Sequence, residues 1–337
     1  METGTMEKNK QVLLKSRPKG WVSEADFELA EAPIPQPGEG QVLVRNHWLS
    51  LDPYMRGRMN DTKSYSAKAE IGEVMVGGTV GEVIETRDPS LKKGDFVVGM
   101  LGWQQYGAAP AKAFRAIDTK AVPAQAYLGV VGMPGVTAWV GLLTIAEPKP
   151  GETVVVSAAS GAVGSVVGQI AKIRGARAVG IAGGPEKCRY LVEELSFDAG
   201  IDYKSSSFVR DLEAATPKGV DVYFENVGGD VLEAVSRRFN PFARMPLCGL
   251  VSQYNETNPV GLRNLHSFLV NRVKLQGFIV SDKPELWPRA LQELASWVAS
   301  GKIKYRETVA QGLENASKAF IGMLKGENFG KQLVKLV

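Results

Sequence analysis

The sequence predicts an α/β protein of two domains, in which a domain of short β-strands is joined to a doubly wound parallel sheet. The chain has 337 residues, which is longer than a single hydrophobic core usually serves. Short strand-like segments separated by glycine and proline fill roughly the first 125 residues. From about residue 128 to 295, strand-like and helix-like segments alternate, as is typical of a parallel sheet flanked by helices.

The N-terminal part of the chain contains strand signals and little helical periodicity. Strand-like runs occupy residues 12–14, 27–29, 42–44 and 96–98, with prolines and glycines between them. Residues 74–84 alternate with glycines, which indicates a bent strand. Several short strands at this spacing predict a small β-barrel or sandwich.

An apolar stretch at residues 121–146 contains no charged residue and is long enough to span a bilayer. Pro134-Gly135 marks a turn near its centre, and further glycines and a proline interrupt it. We therefore predict a buried crossing between the domains, with an apolar helix over residues 136–145, and no transmembrane span.

A glycine turn at residues 158–164 is central to the second domain. The β-branched run at 153–157 predicts a buried strand, and apolar residues at helical spacing from Val163 to Ala171 predict a helix that stops near Gly175. A strand, a glycine turn and a helix N-terminus together form an anion site, because backbone N–H groups and the helix dipole face the ligand. The turn departs from G-x-G-x-x-G, since Ala158 takes the place of the first glycine.

We interpret this turn as the phosphate-binding turn of a dinucleotide site; the alternative is a glycine-rich turn of some other α/β protein. Gly161 and Gly164 would let a pyrophosphate and the neighbouring strand come close, where a Cβ would clash. The residues of the turn that we expect to contact the cofactor are Ala158, Ser160, Gly161, Ala162, Val163 and Gly164.

The remaining elements of the second domain follow the same rhythm. Further strands are predicted at residues 178–181, 220–224, 245–250 and 275–280. Helices are predicted from Gly184-Pro185 onward, at 287–300 and at 314–324. Residues 331–337 alternate as a strand does, and we expect this final segment to return to the first domain.

The residues after the second predicted strand favour NADP over NAD. An NAD site carries an Asp or Glu about twenty residues after the glycine turn, where it binds the ribose hydroxyls. Here the strand ends at Gly183 and is followed by Lys187 and Arg189, so a 2′-phosphate would meet cations there. Glu186, in the first helical turn, is assigned to the helix dipole. The alternative for Lys187 is a solvated cation on a helix face.

The composition excludes several classes of protein. The net charge is only +4 with the basic residues scattered, so nucleic-acid binding is not indicated. Cys188 and Cys248 cannot build a disulfide framework and indicate a reducing compartment, and the polar first residues contain no apolar signal core. Two cysteines and two widely separated histidines do not make a zinc site, so no metal is expected, and His47 and His266 are assigned to packing or the surface.

Five separated motifs occur in order along the chain. They are residues 51–56 (Leu-Asp-Pro-Tyr-Met-Arg), 132–138 (Gly-Met-Pro-Gly-Val-Thr-Ala), 158–164 (Ala-Ala-Ser-Gly-Ala-Val-Gly), 223–229 (Tyr-Phe-Glu-Asn-Val-Gly-Gly) and 328–331 (Asn-Phe-Gly-Lys). Together they resemble the zinc-free medium-chain dehydrogenase/reductases, in the branch of prostaglandin reductases, plant alkenal double-bond reductases and bacterial curcumin reductases. The resemblance spans nearly the whole chain.

This resemblance implies a GroES-like domain at residues 1–127, completed by residues 300–337, and an inserted Rossmann domain at residues 128–299. It also implies NADPH as the cofactor, a cytoplasmic location and a homodimer. Tyr254 matches the tyrosine that reaches the substrate carbonyl, and Tyr54 and Tyr65 match tyrosines that line the pocket. Besides the glycine turn, the expected cofactor contacts are Gly183, Lys187, Tyr203, Asn226, Tyr254, the segment of Phe278, Ile279 and Val280, and Asn328.

The function predicted from these residues is NADPH-dependent reduction of the C=C bond of α,β-unsaturated aldehydes and ketones. Hydride would pass to the β-carbon, and the negative charge that develops on the carbonyl oxygen would be stabilised near the Tyr254 hydroxyl. The expected partner is a small enone or enal, with no nucleic acid and no membrane. Two alternatives stay open at this point: a quinone reductase that uses NADPH, and a cofactor-binding sensor with little turnover.

Overall fold

The computed structural model describes residues 7–337, which divide into two compact units. The first unit holds the described residues up to Leu128 together with Glu307–Asn328 and Gln332–Val337. The second unit holds Gly129–Arg306 and the short segment Phe329–Lys331. The chain therefore passes between the units after Leu128, Arg306, Asn328 and Lys331. The sequence predicts boundaries after 127 and 299.

The first unit is built mainly from β-strands. Its strands are β1 (Lys8–Leu14), β2 (Phe27–Pro33), β3 (Gln41–Ser50), β4 (Thr79–Thr86), β5 (Phe96–Gly99), β6 (Tyr106–Pro110), β7 (Arg115–Ala116), β14 (Glu307–Gln311) and β15 (Lys331–Lys335). A seven-stranded sheet has the order β14-β15-β3-β4-β5-β7, with β6 also paired to β3, and β1 and β2 form a separate antiparallel pair. One core of this unit is made by Val42, Val44, Val83 and Val97, whose side chains alternate inward from three strands.

Two helices complete the first unit. They are α1 (Tyr54–Arg58), directly after β3, and α9 (Ala316–Leu324), which precedes the last strand. The last strand pairs antiparallel with β3, with Leu333 opposite Ser50. The end of the chain thus forms part of the same sheet as the strand that leads into α1.

The second unit is a parallel sheet with helices between its strands, which confirms the predicted fold class. Its strands are β8 (Thr153–Val156), β9 (Arg177–Ala182), β10 (Ala199–Asp202), β11 (Val220–Phe224), β12 (Phe239–Leu247) and β13 (Lys274–Gly277). Its helices are α2 (Met133–Val140), α3 (Gly164–Ile173), α4 (Pro185–Glu193), α5 (Phe208–Ala215), α6 (Gly229–Ser236), α7 (Leu265–Val270) and α8 (Trp287–Ala299).

The strand order of this sheet is β10-β9-β8-β11-β12-β13, and the paired strands run parallel. The order reverses direction at β8, because β9 lies on one side of it and β11 on the other. Every residue of β8 is buried, as its unbroken β-branched sequence predicts. In doubly wound sheets, ligands bind at this switch point, outside the carboxyl ends of the strands.

Several element predictions need correction. The predicted strand 245–250 is β12, which runs from Phe239 and ends at Leu247, and the predicted strand 275–280 ends at Gly277. Strand β10 was not predicted. The apolar helix predicted at 136–145 is α2, followed by a π-helical turn over Gly141–Ala146. Within residues 7–337, no helix is both long enough and apolar enough to cross a membrane.

Candidate active site

The glycine turn lies between β8 and α3, at the switch point of the parallel sheet. Ala158, in the position of the missing first glycine, has a φ of 49°, in the left-handed region that glycine favours. Helix α3 starts at Gly164 with no side-chain cap on Val163. The N–H groups of Ser165, Val166 and Val167 donate to the carbonyls of Gly161 and Val163. The turn residues before Ser165 are therefore the candidate donors for an anion.

Gly164 cannot be replaced by a larger residue without movement of the turn. A Cβ at this position would lie 2.4 Å from the carbonyl oxygen of Ala158, which is backbone and cannot rotate away. At Gly161 the corresponding distance, to the same oxygen, is 3.1 Å. Gly164 therefore allows helix α3 to pack closely on the turn, which is the role of the last glycine in a dinucleotide-binding turn.

Two lysines and a tyrosine surround the end of β9. A Cβ on Gly183 would lie 2.9 Å from Cε1 of Tyr203 and 3.1 Å from Cε of Lys204. Burial lowers the pKa of Lys187, and the charge of Lys204 lowers it further, so the two ammonium groups lie in the same neighbourhood. Asp202 turns its carboxylate to the backbone, where Oδ1 accepts hydrogen bonds from the N–H groups of Gly184 and Lys204. The predicted residues Gly183, Lys187 and Tyr203 are thus placed together, with Lys204 added to them.

The segment Phe329–Lys331 lies beside the glycine turn. Gly330 forms an isolated parallel bridge with Gly161. The ring of Phe329 stacks under the guanidinium of Arg306, 3.9 Å away, and lies 5.9 Å from Nζ of Lys187. Asn328, predicted as a cofactor contact, directly precedes this segment and is counted in the first unit.

The loop after β11 is joined to the last residue before the glycine turn. Oγ of Ser157 accepts a hydrogen bond of 2.8 Å from the backbone N–H of Asn226, and Nδ2 of Asn226 donates one of 2.8 Å to the carbonyl of Ser157. Ser157 itself donates to Oε1 of Glu225, 2.8 Å away. The predicted cofactor residue Asn226 is therefore held against the start of the turn.

A pocket of about 410 Å³ opens at the carboxyl ends of β12 and β13. Its lining residues are Leu247, Cys248, Gly249, Leu250, Tyr254, Gly277, Phe278, Ile279 and Asp282. The lining is apolar except for the hydroxyl of Tyr254, the Cys248 thiol, backbone groups and the carboxylate of Asp282. Burial and the nearby Glu225 raise the pKa of Cys248 to about 12, so this thiol stays protonated at neutral pH.

The segment 278–280, predicted as the end of a strand, leaves the sheet instead. The ring of Phe278 packs edge-on against Phe224, with 6.2 Å between the centroids. The carbonyl of Val280 accepts a hydrogen bond of 3.1 Å from Nε1 of Trp287. Because β13 ends at Gly277, Phe278 and Ile279 line the pocket and do not extend the sheet.

Tyr254 is half-buried in the pocket wall. Its hydroxyl oxygen accepts a hydrogen bond of 3.2 Å from the backbone N–H of Leu250. A Cβ on Gly249 would lie 3.0 Å from the same oxygen, so the loop at 249–254 folds closely around the phenol. The structure thereby fixes one predicted catalytic hydroxyl at the pocket.

The other two predicted catalytic tyrosines, Tyr54 and Tyr65, lie in the first unit. Tyr54 opens α1, and burial, with the charge of Asp52, raises its pKa well above the usual range. Tyr65 raises the same pKa, so the two phenols lie in one neighbourhood, although the Tyr65 side chain is 61% exposed. The Tyr54 hydroxyl is therefore protonated at neutral pH.

Family models match both units of the chain. A model described as the N-terminal domain of oxidoreductase matches residues 10–117, and one described as zinc-binding dehydrogenase matches residues 162–296. The chain is 48% identical to the NADPH-dependent curcumin reductase of Escherichia coli, over 98% of this chain and 97% of that protein. It is 42% identical to the NADP(+)-dependent 2-alkenal reductase of Nicotiana tabacum, over 97% of each.

The chain belongs to the zinc-free medium-chain dehydrogenase/reductases. A solved member, CurA of Vibrio vulnificus in complex with NADPH, is 46% identical and superposes with a TM-score of 0.93, over 97% of this chain and 99% of that one. Although one family model is described as zinc-binding, residues 7–337 contain no group of three or more His, Cys, Asp or Glu side chains placed to hold a metal ion. His47 packs edge-on against Phe96, 5.2 Å between centroids.

Several residues of the candidate site were not predicted. Lys204 directly follows Tyr203, which was predicted to contact the phosphate. This adjacency could have indicated Lys204 as a further contact. Glu225 belongs to the motif at residues 223–229, but nothing in the sequence of that motif indicates that the carboxyl group is buried. Arg306 and Phe329 come together from distant parts of the chain, and no sequence pattern indicates their contact.

Proposed function

We propose that the protein is an NADPH-dependent reductase of α,β-unsaturated aldehydes and ketones. The observation that carries the proposal is the glycine turn with the paired Lys187 and Lys204, in a chain 48% identical to an NADPH-dependent curcumin reductase. The identity to a 2-alkenal reductase supports the same substrate class.

The residues present fit NADPH. The glycine turn would provide backbone donors for the pyrophosphate. Because Gly164 has no Cβ, the turn can pack closely against the start of helix α3. Lys187 and Lys204 provide cations for the 2′-phosphate, with the Tyr203 hydroxyl beside them. Asn226, which is held against Ser157, and the pocket residues Phe278 and Ile279 would contact the cofactor farther along the site.

When bound, NADPH supplies a hydride, which the proposed reaction adds to the β-carbon of the enone. Negative charge then develops on the carbonyl oxygen, and a preorganised donor directed at that oxygen lowers the barrier. Tyr254 is the proposed donor, because the N–H of Leu250 holds its hydroxyl oxygen at the pocket and a phenol O–H is a hydrogen-bond donor. The apolar lining of Leu247, Leu250 and Ile279 favours flat, apolar substrates.

We also propose that the protein is a homodimer formed through the edge of the parallel sheet. Strand β13 ends the strand order, so one side of its backbone has no neighbouring strand within the unit. Apolar side chains are exposed beside it: Leu275 is 44% exposed, and Leu265 and Leu269 of α7 are 65% and 76% exposed. A second copy related by twofold symmetry would pair the same edge and cover the same side chains.

The experiment that tests the proposed activity is an assay of NADPH consumption against enals, enones, a diarylheptanoid dienone and a quinone, with NADH in parallel. We expect saturated carbonyl products from the enones and a strong preference for NADPH. Turnover of the quinone alone would support a quinone reductase, and NADPH binding without turnover would support a sensor.

A further inference from the structure

A buried cluster lies beneath the loop after β11. We define it as Ser157, Tyr223, Glu225 and the loop residues 226–228. Glu225 is fully buried, and its Oε1 accepts hydrogen bonds from Ser157 Oγ and from the N–H groups of Val227 and Gly228, at 2.8, 2.5 and 3.0 Å. One carboxyl oxygen therefore satisfies three donors from two loops.

The cluster connects the glycine turn at residues 158–164 with the loop at residues 226–228, both of which are proposed to bind the cofactor. Ser157 directly precedes Ala158, the first residue of the glycine turn. Its Oγ accepts from the N–H of Asn226 while it donates to Glu225, so the serine hydroxyl is fixed on both sides. The loop with Asn226 cannot shift away from the glycine turn without breaking several of these bonds.

A carboxyl group in this position is costly. Its second oxygen, Oε2, and the hydroxyl of Tyr223 are both buried, and the two groups interact: the phenol lowers the pKa of Glu225 and the carboxyl raises that of Tyr223. Burial raises the pKa of Glu225, although the hydrogen bonds from Val227 and Gly228 oppose that effect. An alanine would remove the cost but would leave buried N–H groups unsatisfied, which is itself unfavourable.

We propose that Glu225 is a positioning residue for NADPH binding, which acts by fixing the Asn226 loop against the glycine turn. The inference rests on the proposed function, since it assumes that NADPH occupies these loops. It assigns to Glu225 no contact with the cofactor. A neutral isosteric amide preserves the acceptor toward Ser157, Val227 and Gly228, so Glu225→Gln retains the loop geometry whereas Glu225→Ala releases it.

Glu233 provides a matched control. It is a second buried glutamate of the same unit, on α6, and its Oε2 accepts from the N–H groups of Arg263 and Asn264, at 3.1 and 3.3 Å. Its bonds tie α6 to the segment before α7 and involve neither the glycine turn nor Asn226. Loss of Glu233 should therefore lower stability without changing the affinity for NADPH.

The test is the dissociation constant for NADPH, measured by cofactor fluorescence on wild type, Glu225→Ala, Glu225→Gln and Glu233→Ala, with the thermal midpoint of each protein. We expect Glu225→Ala to raise the constant about tenfold, since three buried hydrogen bonds are lost. Glu225→Gln should stay within about threefold of wild type. Glu233→Ala should lower the midpoint with an unchanged constant.

Equal affinities for wild type and Glu225→Ala, or an equal loss in Glu225→Ala and Glu233→Ala, would overturn the inference and leave the proposed function intact. A wild-type protein that does not bind NADPH would overturn both. If Glu225→Ala does not fold, Ser157→Ala decides the matter, because it removes one bridge between the loops: weaker binding supports the inference and wild-type binding overturns it.

Discussion

The backbone N–H of Leu250 donates a hydrogen bond of 3.2 Å to the hydroxyl oxygen of Tyr254. The phenol is thus held at the pocket by a main-chain group. Its position does not depend on the rotamer of the Leu250 side chain. Hydrogen bonds that converge on one hydroxyl polarise it and strengthen its own donation. In the proposed reaction this bond would preorganise Tyr254 to donate to the oxygen on which charge develops.

Replacement of Tyr254 by phenylalanine should lower turnover of an enone and spare the binding of NADPH. Loss of one donor to a developing oxyanion costs about a hundredfold or more in kcat. Steady-state kinetics with saturating NADPH, together with cofactor titration, measure the two effects separately. Unchanged kcat in a folded variant would remove Tyr254 from the reaction.

Replacement of Lys187 or Lys204 by alanine should reduce the preference for NADPH over NADH. In the proposed site each lysine would make a charge-assisted interaction with the 2′-phosphate, and the loss of one such bond weakens binding about tenfold or more. Binding of NADH, which lacks this phosphate, should change little. Lys218→Ala is the control, since Lys218 is exposed and precedes the start of β11, at the end of the parallel sheet opposite the glycine turn. A similar loss for both nucleotides would contradict the assignment.

Replacement of Gly164 by alanine should destabilise the second unit and weaken NADPH binding. The new Cβ would lie 2.4 Å from the carbonyl oxygen of Ala158. Overpacking of this kind costs about 1–3 kcal/mol in the free energy of unfolding. Gly57→Ala, where a Cβ would meet nothing within 4 Å, should change neither property. Chemical denaturation and cofactor titration test the pair, and equal behaviour of the two variants would argue against a tight turn.

The stability of the protein should depend on pH through Glu225. Burial raises the pKa of this carboxyl in the folded protein above its ordinary value of 4.5. At a pH between the pKa of Glu225 in the unfolded chain and its higher pKa in the folded protein, the folded protein holds a proton that the unfolded chain has released. The free energy of unfolding therefore falls as the pH rises through this range.

Glu225→Gln should abolish this contribution. As the pH rises above about 4.5, the free energy of unfolding of the variant should therefore increase relative to that of wild type. The increase should be at most about 1.4 kcal/mol per pH unit. Urea denaturation of both proteins from pH 4.5 to 8 measures the difference. Parallel pH profiles would show that Glu225 has an ordinary pKa in the folded state.

The parts of the fold that local sequence determines were predictable. The β-branched run of β8 and the glycines after it indicate a buried strand and a tight turn, whatever the rest of the chain does. Strand β10, Ala199–Asp202, escaped prediction because four residues with a glycine carry little periodicity. The end of β13 was misjudged because Phe278 leaves the sheet to pack on Phe224, which is a tertiary contact.

Residues of the candidate site could be proposed from the sequence where they form a contiguous motif, and not where the fold brings distant residues together. Gly161, Gly164 and Lys187 follow from motif and spacing. Ser157 and Glu225 are 68 residues apart, and their bond exists only because β8 and β11 are neighbours in the sheet. Phe329, near the C-terminus, lies beside Lys187, which is in the middle of the chain. Such contacts depend on strand order, which the sequence pattern does not specify.

The most direct test of the central claim is the position of the transferred hydride. The enzyme is incubated with an enone and with NADPH that carries deuterium at C4 of the nicotinamide, and the product is analysed by NMR and mass spectrometry. Our account predicts a saturated ketone with deuterium on the β-carbon. An allylic alcohol with deuterium on the former carbonyl carbon would contradict it.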